Sequence, residues 1–402
     1  MTTRRSFLAL AGGALAVSGL AACRDTEAEA AAAPVSVPDL VLAQTKRGPV
    51  RLSGTESRGL GSVTAVSRDG AIAYVAEGTS LTRTYTPTGA PIQRIEIGGG
   101  WVPRVVAESG NACVLTRTPN AEPPAARTTS PLLVVGDGRQ QKFTLTGVVE
   151  PDAFTSDGTG LFVLEWLPAS APDRYRVRLL DLATGRLDPL LTRTKVPVPP
   201  GAEEEMRGSG RQAVLSPDRQ VLYTLYTHQP DHQHTRNLLN GTRNDVHAFV
   251  HVLHLTERWA FCLDLPDPFG HGAPEGHALA ADDTHVTVFD ASSGSVAVAS
   301  ASALTIEKVL RVPAGSAGGH LALGAGRAFA ACGTDVHAIA RDTGRVVARW
   351  SLSDPVCGLR LSRDGRHLYA GGSDRVAWLD VSSGRVLGRA PVDALTGLLH
   401  VG

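Results

Sequence analysis

Short apolar strands separated by polar turns recur along most of the chain. Residues 63–70 read Val-Thr-Ala-Val-Ser-Arg-Asp-Gly, and residues 358–365 read Gly-Leu-Arg-Leu-Ser-Arg-Asp-Gly. In such a turn the aspartate can fold its side chain onto nearby backbone, and the glycine supplies a positive φ. A second strand follows each turn, and third strands end in hairpins such as Thr184-Gly185-Arg186. The pattern predicts an all-β fold.

Units of this kind recur seven times. They cover about 63–97, 104–147, 150–192, 210–266, 276–313, 319–355 and 357–392. Seven four-stranded sheets arranged radially protect their strand edges, so we predict a single seven-bladed β-propeller over residues 39–402. Apolar strands left over at the two chain ends, at 40–42, 50–52 and 398–401, would close the ring by sharing a blade. No amphipathic helix is expected after the N-terminal leader.

The repeat phrases resemble those of a known family. Ser-Arg-Asp-Gly, Leu-Tyr, Leu-Asp and Thr-Gly-Arg are similar to YVTN-type and WD-like β-propeller repeats of bacterial surface proteins, over about 330 residues. The resemblance implies the propeller fold. It implies no chemistry, because propellers include lactonases, dehydrogenases, lyases and plain binding scaffolds.

The first 22 residues have the features of an export signal. Residues 3–8, Thr-Arg-Arg-Ser-Phe-Leu, form a twin-arginine pattern, and the apolar stretch 8–20 is too short to span a bilayer. Leu-Ala-Ala-Cys at 20–23 looks like a lipobox, in which the Cys23 thiol carries the lipid. We predict a signal peptide over 1–22, a flexible tether over 23–38 and a lipid anchor on the extracytoplasmic face of the cell membrane. The alternative is ordinary cleavage after Ala22, with Cys23 unmodified.

Composition narrows the range of partners and chemistries. The chain has 39 basic and 39 acidic residues and no basic stripe interleaved with aromatic residues, which excludes nucleic acid as a partner. The linear motifs GxSxG, HExxH, GxxxxGK and GxGxxG are missing, which counts against an enzyme. Two readings of the cysteines stay open, disulfides in any of three pairings or buried thiols. The cysteines concerned are Cys113, Cys262, Cys332 and Cys357.

Aligning the inner strands on their turns places polar residues at equivalent positions. These residues are Arg104, Asp152, His277 and His320, with Arg211 just before the fourth inner strand. The inner strands of a propeller begin around one mouth of its central channel, so we predict that these side chains converge there. Such a ring could bind an anionic ligand, or act as general acid and base. The alternative is a polar, water-filled channel mouth with no ligand.

A histidine-rich stretch, residues 228–254, interrupts the fourth unit. Its candidate metal ligands are His228, His232 and His234. In the strand predicted for residues 247–255, His247 and His251 would share a face. No ligand set has diagnostic spacing, so we expect no cofactor and no tightly bound metal, and a solvated hairpin is the alternative. The acidic, proline-rich stretch 196–205 is predicted to be an exposed loop.

Together these features favour a monomeric, membrane-anchored lipoprotein that binds a partner protein or a cell-envelope component without catalysis. A propeller hydrolase or lyase with its site at the channel mouth is the second hypothesis. A protein that handles a divalent metal or copper through the histidines of the fourth unit is the third.

Overall fold

The structure is a computed structural model that describes residues 36–118, 121–136, 138–207, 212–324 and 326–402. The predicted signal peptide and Cys23 lie outside the described residues, as does Arg211. Within these ranges no helix combines the length and the apolar character needed to cross a membrane. The chain begins with β1 (Val37–Thr45), β2 (Gly48–Gly54) and β3 (Glu56–Gly59).

The first three repeat units form three antiparallel sheets whose strand order follows the sequence. Blade 1 consists of β4 (Thr64–Val66), β5 (Ile72–Glu77), β6 (Ser80–Tyr85) and β7 (Ala90–Glu96). Blade 2 consists of β8 (Val102–Val106), β9 (Ala112–Thr116), β10 (Thr129–Gly136) and β11 (Arg139–Thr146). Blade 3 consists of β12 (Val148–Phe154), β13 (Gly160–Leu167), β14 (Arg174–Asp181) and β15 (Leu187–Pro189).

Blade 4 has five strands. In chain order it contains β16 (Leu191–Thr192), β17 (Gln212–Leu215), β18 (Val221–Tyr226), β19 (Phe249–His254) and β20 (Trp259–Asp264). Between β18 and β19 lies α1 (Thr235–Asn240), a short helix that the strand pattern did not predict. Strand β16 pairs in parallel with β20, so the chain leaving blade 3 first reaches the outer edge of blade 4.

The last three repeat units are regular four-stranded sheets. Blade 5 consists of β21 (His277–Ala281), β22 (His285–Asp290), β23 (Ser295–Ser300) and β24 (Ile306–Arg311), after a 3-10 turn at Pro274–Gly276. Blade 6 consists of β25 (Gly319–Gly324), β26 (Arg327–Cys332), β27 (Asp335–Ala340) and β28 (Val346–Ser351). Blade 7 consists of β29 (Gly358–Leu361), β30 (His367–Gly371), β31 (Arg375–Asp380) and β32 (Val386–Pro391).

The two chain ends build an eighth blade. The last strand, β33 (Leu395–Val401), is its inner strand and pairs with β1, and the sheet order is β33, β1, β2, β3. The predicted all-β propeller is confirmed, but the prediction of seven blades is wrong. Strands from the two chain ends share the closing blade, as predicted. Because each of the seven repeat units already has at least four strands of its own, that shared blade is an eighth.

The turn chemistry predicted from the repeat is confirmed. In blade 7, Ser362 Oγ donates to the Asp364 carboxylate at 2.7 Å, and the same carboxylate accepts the Arg366 backbone N–H at 3.0 Å. Gly365 has φ +71°. The turn therefore satisfies its own backbone and leads directly into β30.

Apolar side chains fill the spaces between neighbouring blades. One cluster joins blades 3 and 4 through residues that include Trp166, Tyr175, Tyr226 and Phe249. The cysteines at 113, 262, 332 and 357 are all free thiols. Disulfides therefore contribute nothing to the described part of the ring, and interdigitated apolar side chains hold the blades together.

Candidate metal centre

Hydrogen bonds fix the segment between β16 and β17 at two points beside blade 4. Met206 and Tyr175 of β14 exchange two backbone hydrogen bonds, at 2.8 and 2.9 Å. The Gln229 side chain accepts the Arg207 backbone N–H at 2.8 Å and donates to the Arg207 carbonyl at 2.5 Å. These contacts hold Glu204 between blade 3 and the long loop of blade 4.

The long loop, residues 227–248, brings two histidines onto the face of blade 4. The His232 ring stacks on Phe249, with centroids 4.4 Å apart and planes 23° apart. The His234 ring meets the same phenyl ring edge-on at 5.0 Å. Both histidines are buried, and both lie at the start of α1 or just before it.

The remaining groups come from the two outer strands. In the pairing of β19 with β20, His251 lies opposite Cys262 and Phe249 lies opposite Asp264. Residues two apart along a strand share a face, so all four side chains are on one side of the sheet. Strand pairing therefore sets a thiol, an imidazole and a carboxylate beside the loop histidines.

Glu204, His232, His234 and Cys262 form one compact set, which we call the blade-4 cluster. One potential ligand atom from each residue lies within 4.8 Å of the others. Cys262 Sγ donates to Glu204 Oε1 at 3.2 Å, His234 Nδ1 is 3.4 Å from Glu204 Oε2, and His232 Nε2 is 3.7 Å from it. His251 Nε2 approaches Glu204 Oε1 at 3.6 Å as a fifth group.

Outer partners orient both cluster histidines. His232 Nδ1 is 3.2 Å from the Glu205 carbonyl, which leaves Nε2 directed at the cluster. His234 Nε2 lies 2.7 Å from Asp264 Oδ1, which leaves Nδ1 directed at the cluster. Arg236 in turn holds Asp264 Oδ2 at 2.5 Å. Metal-binding histidines in proteins almost always have such a carbonyl or carboxylate on the second ring nitrogen.

Burial and proximity shift the protonation equilibria of the cluster. Burial alone would raise the pKa of Glu204, but the His232 and His234 imidazoles hold that pKa well below its ordinary value. Burial, reinforced by the Glu204 carboxylate, raises the pKa of the Cys262 thiol well above its ordinary value. The cluster without metal therefore pairs a carboxylate with a neutral thiol. A bound cation would displace the thiol proton and bind the thiolate.

A cavity leads to the cluster from outside the blade. It has a volume of about 290 Å³, and its walls include Glu204, His234, His251 and Cys262. Helix α1 contributes Leu239, which is 44% exposed, so the cavity reaches the protein surface there. An ion can thus approach the donor atoms without unfolding of the blade.

The structure separates the three histidines proposed from the sequence. His232 and His234 belong to the blade-4 cluster, whereas His228 lies with its ring 6.2 Å from His277. His247 precedes β19, so it does not share the strand face with His251; its ring contacts that of His271 at a centroid distance of 4.5 Å with the planes tilted by 48°.

The sequence interpretation missed Glu204 and Cys262. Glu204 was assigned to an exposed loop, yet its side chain is only 11% exposed. The available signal was the placement of three glutamates, residues 203–205, just before an interrupted repeat unit. Cys262 lies in the apolar run of β20, which indicates a buried thiol but does not identify its neighbours.

The predicted channel-mouth residues fall into separate environments, and their role in ligand binding stays a prediction. Arg104 lines the central channel and pairs with Glu150 at 2.9 Å. Asp152 is buried and lines a smaller cavity of about 170 Å³ together with Arg104 and Glu150. The structure thus brings Arg104 and Asp152 together.

The two predicted channel histidines are largely enclosed. His277 is fully buried, its Nε2 accepts the Gly270 backbone N–H at 3.1 Å, and Asp290 Oδ1 is 3.9 Å away. His320 is half-buried. Burial lowers the pKa of both imidazoles, so both are predominantly neutral at neutral pH.

Comparisons with known proteins establish the fold. No protein-family model matches the chain, and no curated protein matches its sequence. Two structures of AztD from Citrobacter koseri, one of them described as the apo form, are similar with TM-scores of 0.52 and 0.53. Their sequence identities are 10% and 9%, and each alignment covers 90% of this chain and 96% of the other. The chain is thus similar to AztD in fold, as an all-β propeller.

Proposed function

We propose that the protein binds a transition-metal ion in the blade-4 cluster, with Zn²⁺ as the ion that fits best. The observation behind this proposal is the convergence of two imidazoles, one thiol and one carboxylate within 4.8 Å of one another. Zinc takes four ligands of these types in a tetrahedral arrangement. The thiol and imidazoles argue against Mg²⁺ and Ca²⁺, which prefer an all-oxygen shell.

The surroundings of the cluster support reversible binding. The cavity beside Cys262 gives an ion access, and the outer contacts of His232 and His234 keep their donor nitrogens in place without metal. The role we propose is capture and release of the ion by an exported propeller. Export and a lipid on Cys23, both predicted from the leader, are part of this proposal.

The test is stoichiometric zinc binding by the full chain after dialysis removes any metal. We expect one equivalent of zinc, measured by competition with a chromophoric chelator. His232→Gln and Cys262→Ser should each weaken the affinity at least about tenfold, because the outer-shell changes that are milder than ligand loss already cost about that much. His228→Gln is the matched control, since it changes a histidine of the same loop outside the cluster.

Cobalt provides a second readout that is specific for the thiolate. Co²⁺ in the parent should produce a thiolate-to-metal charge-transfer absorption, and Cys262→Ser should abolish it while circular dichroism stays unchanged. Failure of the parent to bind zinc, or equal binding by His232→Gln and His228→Gln, would refute the proposal.

A further inference from the structure

The central channel has basic side chains among apolar and neutral polar wall residues. Its volume is about 780 Å³, and the walls come from inner strands that include β17, β21, β25 and β29. Apolar lining residues with exposed surface include Ala213, Leu361 and Leu399. The ionisable residues among the described lining are Arg68, Arg104, Arg360 and His400. All four are basic residues, but burial lowers the pKa of His400, so the positive charge of the channel comes from the three arginines.

Two of these arginines are neutralised by carboxylates just behind the wall. Arg104 pairs with Glu150 at 2.9 Å, and Arg68 Nε lies 3.7 Å from Glu108. These ion pairs fix the positions of the two guanidinium groups and weaken their attraction for an anion in the channel.

Arg360 differs from its neighbours. Its Nη1 donates to the carbonyl of Leu359 at 3.2 Å, and no carboxylate of the described residues lies within the 4.0 Å of an ion pair. Burial lowers the pKa of its guanidinium, with no acidic group opposing the shift. Arg360 is half-buried. A half-buried charge without a counter-ion has a desolvation cost, and an anion in the channel would offset that cost.

We propose that the channel binds a small organic oxyanion, whose carboxylate or phosphate pairs with Arg360 and whose apolar body lies against the leucine and alanine wall. A guanidinium presents a planar fork of donors that matches a carboxylate or phosphate in two parallel hydrogen bonds. The low-dielectric walls concentrate the positive potential along the channel. This site is separate from the blade-4 cluster and does not depend on metal.

Benzoate is a suitable probe, because it joins one carboxylate to an apolar ring. Calorimetric titration of the metal-free full chain should show saturable binding, and Arg360→Met should weaken it at least about tenfold, the loss expected from a charge-assisted pair. The control is Arg363→Met, which removes an exposed arginine from the turn after β29. Cys262→Ser should bind benzoate like the parent, which separates this site from the metal site.

Two further probes test the two halves of the ligand. Benzyl alcohol, which lacks the charge, and inorganic phosphate, which lacks the apolar body, should each bind at least tenfold more weakly than benzoate. Equal binding of either probe overturns the corresponding half of the proposal.

Thermal unfolding provides the folding control. Arg360→Met should unfold at the same temperature as the parent or higher, because it removes an uncompensated charge. Unchanged benzoate affinity in Arg360→Met, or an equal loss in Arg363→Met, would overturn the site.

Discussion

Blade 4 and blade 7 share the same strand register but use it differently. Their Ser-x-Asp turns align Leu215 with Leu361, and the pairing then aligns His251 of blade 4 with Ala377 of blade 7. Blade 7 joins its second and third strands through residues 372–374, whereas blade 4 uses residues 227–248.

The difference shows how one blade of a repeat fold can gain potential metal ligands while its strand pairing stays unchanged. In blade 7 the corresponding residue, Ala377, contributes only a methyl group, and the connection of three residues between the second and third strands adds no histidine. In blade 4 the long loop and the segment from blade 3 cover the same face with Glu204, His232 and His234. The backbone pairing is preserved, so these polar groups lie on a rigid support.

The largest expected effect comes from a substitution in blade 7, the regular blade of this comparison. Gly384 has φ +71°, and a Cβ there would overlap the Trp350 indole of blade 6. Gly384→Ala should lower the free energy of unfolding by roughly 4 kcal/mol, from left-handed strain plus overpacking. Urea denaturation measures the loss. Gly365→Ala, also at φ +71° but 3.9 Å from its nearest neighbour, should cost only about 1 kcal/mol. Equal losses would contradict the packing argument.

The next effect concerns the cluster before any metal binds. Glu204→Gln should lower the free energy of unfolding of the zinc-free protein by about 3 kcal/mol, because it removes the charge that the buried imidazoles face. Glu205→Gln, which changes a side chain 39% exposed beside Arg174, should cost less than about 1 kcal/mol. Similar urea midpoints for the two variants would show that the Glu204 charge does not stabilise blade 4.

Zinc should stabilise the folded protein, and this stabilisation should depend on the blade-4 cluster. At free zinc 100 times the dissociation constant, the free energy of unfolding should rise by about 2.7 kcal/mol in the parent. Gly365→Ala should gain the same increment, since its change lies in blade 7, whereas Cys262→Ser, with affinity weakened at least about tenfold, should gain no more than about 1.4 kcal/mol. The measurement is urea denaturation with and without zinc. An increment as large in Cys262→Ser as in the parent would show that zinc binds outside the cluster.

The sequence predicted the propeller because its turns are local. Ser, Asp and Gly at fixed offsets determine hydrogen bonds within four residues, and those bonds are present around Asp364. The number of blades is not a local property. Residues 40–42 and 398–401 do share a blade as predicted, but whether that blade completes one of the seven units or adds to them depends on every other strand, and the count of seven was wrong for that reason.

The candidate site was predictable only in part for the same reason. His232 and His234 are close in sequence, so their spacing suggested metal ligands. Glu204 and Cys262 reach them only through the course of the chain around blade 4, in which β16 pairs with β20 before the chain returns to β17. A motif defined by sequence spacing cannot include ligands that only the path of the chain through the blade brings together. Arg360 was missed because its lack of a carboxylate partner is visible only in three dimensions.

The smallest expected effect is on stability at low pH, and it tests the contribution of the aspartate in a repeat turn. In blade 3, burial tends to raise the pKa of Asp157, but hydrogen bonds from Thr155 and Thr159 and the charge of Arg258 of blade 4 lower it to about 2. Because the folded pKa lies below the unfolded value of about 3.9, this carboxylate stabilises the fold above pH 4 and stops doing so as pH falls through 2. The side chain is 55% exposed, so the contribution should be below about 1 kcal/mol. Urea midpoints between pH 5 and pH 2 should fall less steeply in Asp157→Asn than in the parent. Parallel pH profiles would mean that the turn carboxylate holds its geometry without contributing to acid stability, leaving other carboxylates as the cause of any acid unfolding.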